Sequence, residues 1–176
     1  MGNKVLIVVD MQNDFIDGVL GTKEAQEIVP KVAEKIRNWD GPIWYTMDTH
    51  DENYLNTQEG QILPIKHCIK GTFGWLLQDE VYKALRDKNA YIYQKYSFGD
   101  YWLPVVAQMP KTDCVEFVGV CTDICVVSNA LIYKAAFPET KLIVDPACCA
   151  GTSPELHEAA LKVMQSCQID ILNWGN

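Results

Sequence analysis

Five consecutive residues near the start of the chain, Val5-Leu6-Ile7-Val8-Val9, are all β-branched or aliphatic, with no alternation of apolar and polar positions. A strand with one face in water alternates, so a run of this kind predicts a strand covered on both faces. Such strands belong to parallel sheets held between layers of helices. The rest of the chain must then supply those helices and the partner strands.

It does so in alternation. Ile28, Val32 and Ile36, with Val29 and Ala33 beside them, form a helical stripe whose first turn is expected to hold Pro30. After the Asp40-Gly41-Pro42 turn, residues 43–47 read as a second strand ending at Asp48-Thr49-His50. Residues from about 51 to Gly74 keep neither period, and a loop of that length in a compact domain is read as functional. A helix is expected over 75–88, with Leu76, Leu77, Val81 and Leu85 on one side, then a third strand over 90–94 stopping at Lys95. Residues 101–109, from Tyr101 to Met109, predict a short helix disturbed by Pro104. Cys114 to Val118 form the fourth strand, followed at Gly119 by a helical pattern to about Phe137. A fifth strand, 141–145, is expected to stop at Pro146. Ser153-Pro154-Glu155 starts a helix that buries Leu156, Ala159, Ala160 and Val163, and Ile169 to Leu172 close as a sixth strand. The reading is α/β: a doubly wound, six-stranded parallel sheet of order 3-2-1-4-5-6, in a single domain spanning residues 1–176.

Charge narrows the partners. With 23 acidic residues against 15 basic ones, the formal net charge is −8, which repels phosphate backbones and anionic lipid. Neither nucleic acid nor a membrane is an expected partner, and a cytoplasmic location is expected because no run reads as a signal peptide or a bilayer span. Seven cysteines, an odd number without a secretory leader, argue for free thiols rather than a disulfide framework.

In an open parallel sheet, ligands sit beyond the carboxyl ends of the strands where strand order reverses. The polar residues there are Asp10, Asp48, His50, Lys95 and Cys125. The order 3-2-1-4-5-6 places Asp10 and Cys125 on either side of one crevice, with Lys95 arriving from a neighbouring loop. Thr122 and Asp123 are both suitable helix N-caps, and either leaves Cys125 in a first helical turn, where the helix dipole favours a thiolate. A carboxylate, an ammonium and a thiol together make a nucleophilic amide-cleaving site, with the Cys121 and Cys125 N–H groups placed to bind an oxyanion. Taken singly, each has a plainer reading: Asp10 as a turn former, Lys95 as a solvated strand cap, Cys125 as a buried core thiol. Asp48 and His50, with His67 from the long loop, form a workable set of ligands for Zn²⁺, Mn²⁺ or Fe²⁺. A receiver-like signalling domain also places an Asp after its first strand, but it needs another after the third, where this chain has Gln94-Lys95.

Segments across most of the chain match one family in order: 8–15 (Val-Val-Asp-Met-Gln-Asn-Asp-Phe), Asp48-Thr49-His50, His67-Cys68 with Gly71-Thr72-Phe73-Gly74, Lys95-Tyr96-Ser97, and Gly119-Val120-Cys121-Thr122-Asp123-Ile124-Cys125-Val126. The chain resembles the isochorismatase-like cysteine hydrolases, and within them the nicotinamidase/pyrazinamidase branch. The resemblance implies a three-layer α/β/α fold and a catalytic triad of Asp10, Lys95 and Cys125. It also implies a cis peptide between Val120 and Cys121 that aims the Cys121 N–H into the oxyanion hole. Asp48, His50 and His67 match the metal ligands of that branch, with zinc the leading ion, and Phe15 matches an aromatic that packs on the substrate ring. The implied reaction is hydrolysis of a small carboxamide, nicotinamide to nicotinate and ammonia, through a thioester, and self-association into a homo-oligomer is implied as well. Two positions depart from the pattern: Cys121 stands where the family usually has alanine, and Leu63-Pro64-Ile65-Lys66 lacks the tryptophan that often walls the nicotinamide pocket. Another small amide, carbamoyl or vinyl-ether substrate is therefore the alternative.

Overall fold

The structure, a computed structural model, describes residues 3–107 and 112–173. Six strands form one all-parallel sheet: β1 (Lys4–Val9), β2 (Ile43–Asp48), β3 (Ala90–Lys95), β4 (Cys114–Val120), β5 (Lys141–Ala150) and β6 (Asp170–Ile171). Their order is β3-β2-β1-β4-β5-β6, as expected from the sequence. The helices are α1 (Asn13–Ile16), α2 (Lys23–Asn38), α3 (Gln58–Ile62), α4 (Asp79–Arg86), α5 (Leu103–Val106), α6 (Val127–Ala136) and α7 (Pro154–Ser166). No helix among the described residues is long and apolar enough to cross a membrane.

The unbroken apolar run of β1 has the predicted cause. Leu6 and Val8 join a core with Ile28, Val32 and Ile36 of α2 and Val81 and Leu85 of α4. Val5, Ile7 and Val9 face the other way, into a core with Ala130 and Tyr133 of α6 and Leu161 and Met164 of α7. With a core on each side, both alternating sets of β1 leave water, and either loses roughly 2–5 kcal/mol if a leucine or isoleucine is cut to alanine. The three layers put the carboxyl ends of β1, β2, β3 and β4 along one rim.

Several boundaries differ from expectation. Pro30 lies inside α2, not in its first turn, because Thr22 caps the helix earlier and accepts from the Ala25 N–H at 3.0 Å. Pro30 is on the exposed side, so water satisfies the carbonyl its missing N–H cannot reach, and the buried face runs unbroken from Ala25 to Ile36. The helix expected from Trp75 begins only at Asp79. The Trp75 carbonyl accepts from Gln12 Nε2 at 2.8 Å and the Leu76 carbonyl from the Asn13 N–H at 2.9 Å, tying 75–77 to the chain after β1. β5 continues through Pro146 to Ala150, since its register against β4 shifts between Phe117 and Gly119 and the extra residues form a bulge where a missing N–H is tolerated. The helix expected over 101–109 is α5, with Pro104 in its first turn; Met109 lies outside the described residues. The long aperiodic segment holds a 3₁₀ turn, Tyr54–Asn56, and α3.

Candidate active site

β1 and β4 approach each other closely at the rim. Gly119 has φ +116°, and a Cβ there would lie 2.1 Å from the Val9 carbonyl oxygen, so only glycine lets β4 pass. One residue beyond Val9, Asp10 turns with φ +48°. Its N–H donates to Thr46 Oγ1 at 3.1 Å, and that hydroxyl donates back to Asp10 Oδ1 at 2.7 Å. The other carboxylate oxygen, Oδ2, faces Lys95 Nζ at 2.7 Å.

Lys95 ends β3 directly across from Asp48 at the end of β2. Its ammonium lies 3.1 Å from Asp48 Oδ1, 3.1 Å from the Ser97 carbonyl oxygen and 3.5 Å from Cys125 Sγ. Both Asp10 and Lys95 are 0% exposed. The structure therefore brings Asp10, Lys95 and Cys125 to one point, with Asp48 on the far side of the ammonium.

Cys125 sits in a π-helical turn, Thr122–Val126, that runs directly into α6. The Cys121 carbonyl accepts from both Ile124 and Val126 N–H, at 3.1 and 3.0 Å. Asn129, one turn on, donates to the Cys125 carbonyl at 2.8 Å and to the Phe98 carbonyl at 3.1 Å, clamping the Cys125 segment to the loop after β3. The peptide between Val120 and Cys121 is cis. Thr122 and Asp123 do not cap this turn with their side chains. Thr122 Oγ1 instead meets His157 Nδ1 at 2.8 Å, and Asp123 accepts from the Thr152 N–H at 2.8 Å and from its hydroxyl at 2.5 Å. The two residues thus tether the turn to the segment that opens α7.

Burial reverses the expected thiolate preference. It pushes the Cys125 thiol well above its ordinary value; Lys95 opposes the rise, while Asp10 and Asp48 add to it. Burial likewise raises the Asp10 carboxyl above the usual carboxylate value, Lys95 working against this and Asp48 with it, which makes Asp10 a stronger base than a solvated aspartate. Burial pulls Lys95 down, but Asp10, Cys125 and Asp48 outweigh it and hold the ammonium charged. Cys121 is pushed up to about 12, chiefly by burial.

Next to this point, one ligand atom each from Asp48, His50 and His67 lie within 4.8 Å of one another. The His67 Nδ1 is 2.9 Å from the Ile65 carbonyl oxygen, so it carries the proton and leaves Nε2 as a lone pair. His50 Nε2 is buried without a hydrogen-bond partner among the described residues, although Asp48 Oδ2 is 3.0 Å away. Two imidazole nitrogens and a carboxylate oxygen converging at this spacing fit a divalent cation. Tyr54, fully buried, packs edge-on against both imidazoles at 4.7 and 5.0 Å. Gln12 holds Asp48 from behind, accepting from its N–H at 2.7 Å and donating to its carbonyl at 2.9 Å.

Phe15 lies 5.5 Å from the His67 ring, and both line a cavity of about 730 Å³ that Asp48, Cys121 and Cys125 also line. Sequence reasoning missed Glu59, whose Oε1 is 3.6 Å from Nε2 of both His50 and His67. Its only sequence signal was Thr57 opening a short helix, with a side chain accepting from the Gly60 N–H at 3.0 Å. Thr46, Gln12, Asn129 and His157 were missed as well, since no motif or period marks a residue that acts by holding its neighbours.

Residues 4–175 match the family model described as Isochorismatase domain. The chain belongs to the isochorismatase family. Among its relatives is the nicotinamidase of Saccharomyces cerevisiae, 26% identical, with 97% of this chain and 99% of that protein covered. A solved pyrazinamidase/nicotinamidase from Streptococcus mutans is 29% identical and superposes with a TM-score of 0.83 over 97% of this chain and 100% of its own. The pyrazinamidase of Pyrococcus horikoshii, solved in complex with zinc, is also 29% identical, with a TM-score of 0.79 over 98% and 99% of the two chains. Both solved relatives share this fold along essentially their whole length.

Proposed function

We propose that the chain is a single-domain amide-hydrolysing enzyme that converts nicotinamide to nicotinate and ammonia through a thioester on Cys125. The observation that carries this reading is the buried Lys95 ammonium, 2.7 Å from Asp10 and 3.5 Å from the Sγ of Cys125, a residue that lines the cavity. The nicotinamidase and pyrazinamidase relatives support it.

Asp10, ionised and made more basic by burial, accepts the Cys125 S–H proton as sulfur bonds to the carboxamide carbon. The carbonyl oxygen takes up the negative charge and is met by the Cys121 and Cys125 N–H groups at the opening of the turn. Collapse breaks the C–N bond, and the proton held on Asp10 passes to the departing ammonia. Water then attacks the thioester carbonyl, giving a proton to Asp10. The C–S bond breaks, nicotinate leaves, and Cys125 recovers its proton. Lys95 stays charged throughout, so the proton moves between Asp10 and sulfur without leaving two bare anions side by side.

Phe15 offers its ring face to the pyridine. Asp48, His50 and His67, with Glu59 beside them, would hold a divalent cation, for which the zinc-bound Pyrococcus relative makes zinc the first choice. Such an ion would supply a Lewis acid at the cavity wall, suited to a lone pair of the substrate such as a ring nitrogen. The test is ammonia release from nicotinamide and pyrazinamide by the metal-loaded protein. Turnover of either supports the reading; no release from both contradicts it.

A further inference from the structure

The cavity is larger than the proposed substrate. Its volume of about 730 Å³ falls among sites that take drug-sized ligands, whereas one six-membered ring and its carboxamide fill only the part beside Phe15, His67 and Cys125. The remainder opens toward solvent between Leu20, Ile62, Leu63 and Ile124, of which Ile62 is exposed and marks the mouth.

The chemistry of that outer part is one-sided. Its apolar walls come from the segment before α2, the end of α3 and the π-helical turn. Two of its polar groups are engaged within the protein: Thr22 Oγ1 accepts from the Ala25 N–H at 3.0 Å, and Thr152 gives its N–H and hydroxyl to Asp123. Among the described residues that line the cavity there is no Lys or Arg. Lys95 does not line it and is already held between two carboxylates.

We propose that the mouth is a second binding compartment for a neutral, apolar substituent, so that the preferred substrates are uncharged carboxamides extended beyond the ring. Amides that carry a carboxylate, such as N-carbamoyl amino acids, meet apolar walls with no cationic side chain to pair with and are disfavoured. This rests on the amidase reading and says which amides it favours.

The experiment compares ammonia release from nicotinamide, 5-phenylnicotinamide and N-carbamoylglycine by the metal-loaded protein and by an Ile62→Trp variant, with thermal unfolding as a check that the variant folds. An added apolar group that finds a pocket is worth roughly tenfold or more in kcat/KM. The expected result is 5-phenylnicotinamide at least roughly tenfold above nicotinamide, N-carbamoylglycine at least roughly tenfold below it, and a phenyl-to-parent ratio that falls about tenfold in Ile62→Trp. If nicotinamide is turned over and the phenyl compound is rejected, or if N-carbamoylglycine is the better substrate, the compartment is wrong and the amidase reading stands. If N-carbamoylglycine and both pyridine carboxamides release nothing, the amidase reading itself fails, and this inference with it.

Discussion

Lys95 Nζ lies 3.5 Å from Cys125 Sγ, although Lys95 ends β3 and Cys125 follows β4, strands that have β2 and β1 between them in the sheet. The lysine side chain crosses that width because Asp48 and Asp10, at the ends of the intervening strands, form ion pairs with it at 3.1 and 2.7 Å. The ammonium thus links the ends of four strands.

Replacing Lys95 by methionine tests this link through pH. In the proposed mechanism Asp10 serves as base only when ionised; burial raises its pKa above 3.8 and Lys95 draws it back down. The acid limb of kcat/KM is therefore expected above pH 3.8 in the parent protein. Lys95→Met removes the lowering influence, so the limb moves to higher pH while kcat/KM falls by roughly 100-fold or more. Profiles of rate against pH for the two proteins give the comparison.

Gly119→Ala introduces a Cβ 2.1 Å from the Val9 carbonyl at a residue with φ +116°. Both strain and clash fall where β4 meets β1, and a loss of roughly 2–4 kcal/mol in unfolding free energy is expected by denaturant titration.

His157→Ala leaves the fully buried Thr122 hydroxyl without its 2.8 Å partner. The expected cost is about 1–3 kcal/mol in stability. Because Thr122 opens the turn that carries Cys125, kcat should fall more than KM changes. His157→Gln, which retains a side-chain hydrogen-bonding group, should recover part of both.

The metal cluster is tested by composition. Protein loaded with zinc and dialysed should retain about one ion per chain, and His50→Ala should retain close to none, because one of three convergent donors is gone. Elemental analysis measures this independently of turnover.

The strand ends were readable in the sequence because a parallel sheet sends every carboxyl end to one rim, so Asp10, Asp48, Lys95 and Cys125 follow from where the apolar runs stop. Pro146 misled because a proline reads as a stop unless a bulge absorbs it, and the bulge depends on register against β4, a relation between distant segments. Pro30 misled for the opposite reason: local preference favours the first turn, while the long buried face of α2 overrode it. Glu59 was hidden in an aperiodic loop, where no pattern reports which side chain turns inward. For the Cys125 thiol, helix position is a local signal that favours the thiolate, while burial, which no local pattern reports, pushes the other way.

The most direct measurement is the identity of the residue acylated during turnover. Rapid acid quench of the protein with excess nicotinamide, followed by peptide mass analysis, should show a nicotinoyl group on the peptide containing Cys125 and localise it to that sulfur. Cys125→Ala should show no adduct and lose ammonia release by roughly a thousandfold or more. An acyl group on Cys121 instead, or a Cys125→Ala variant that still releases ammonia at the parent rate, would contradict the account.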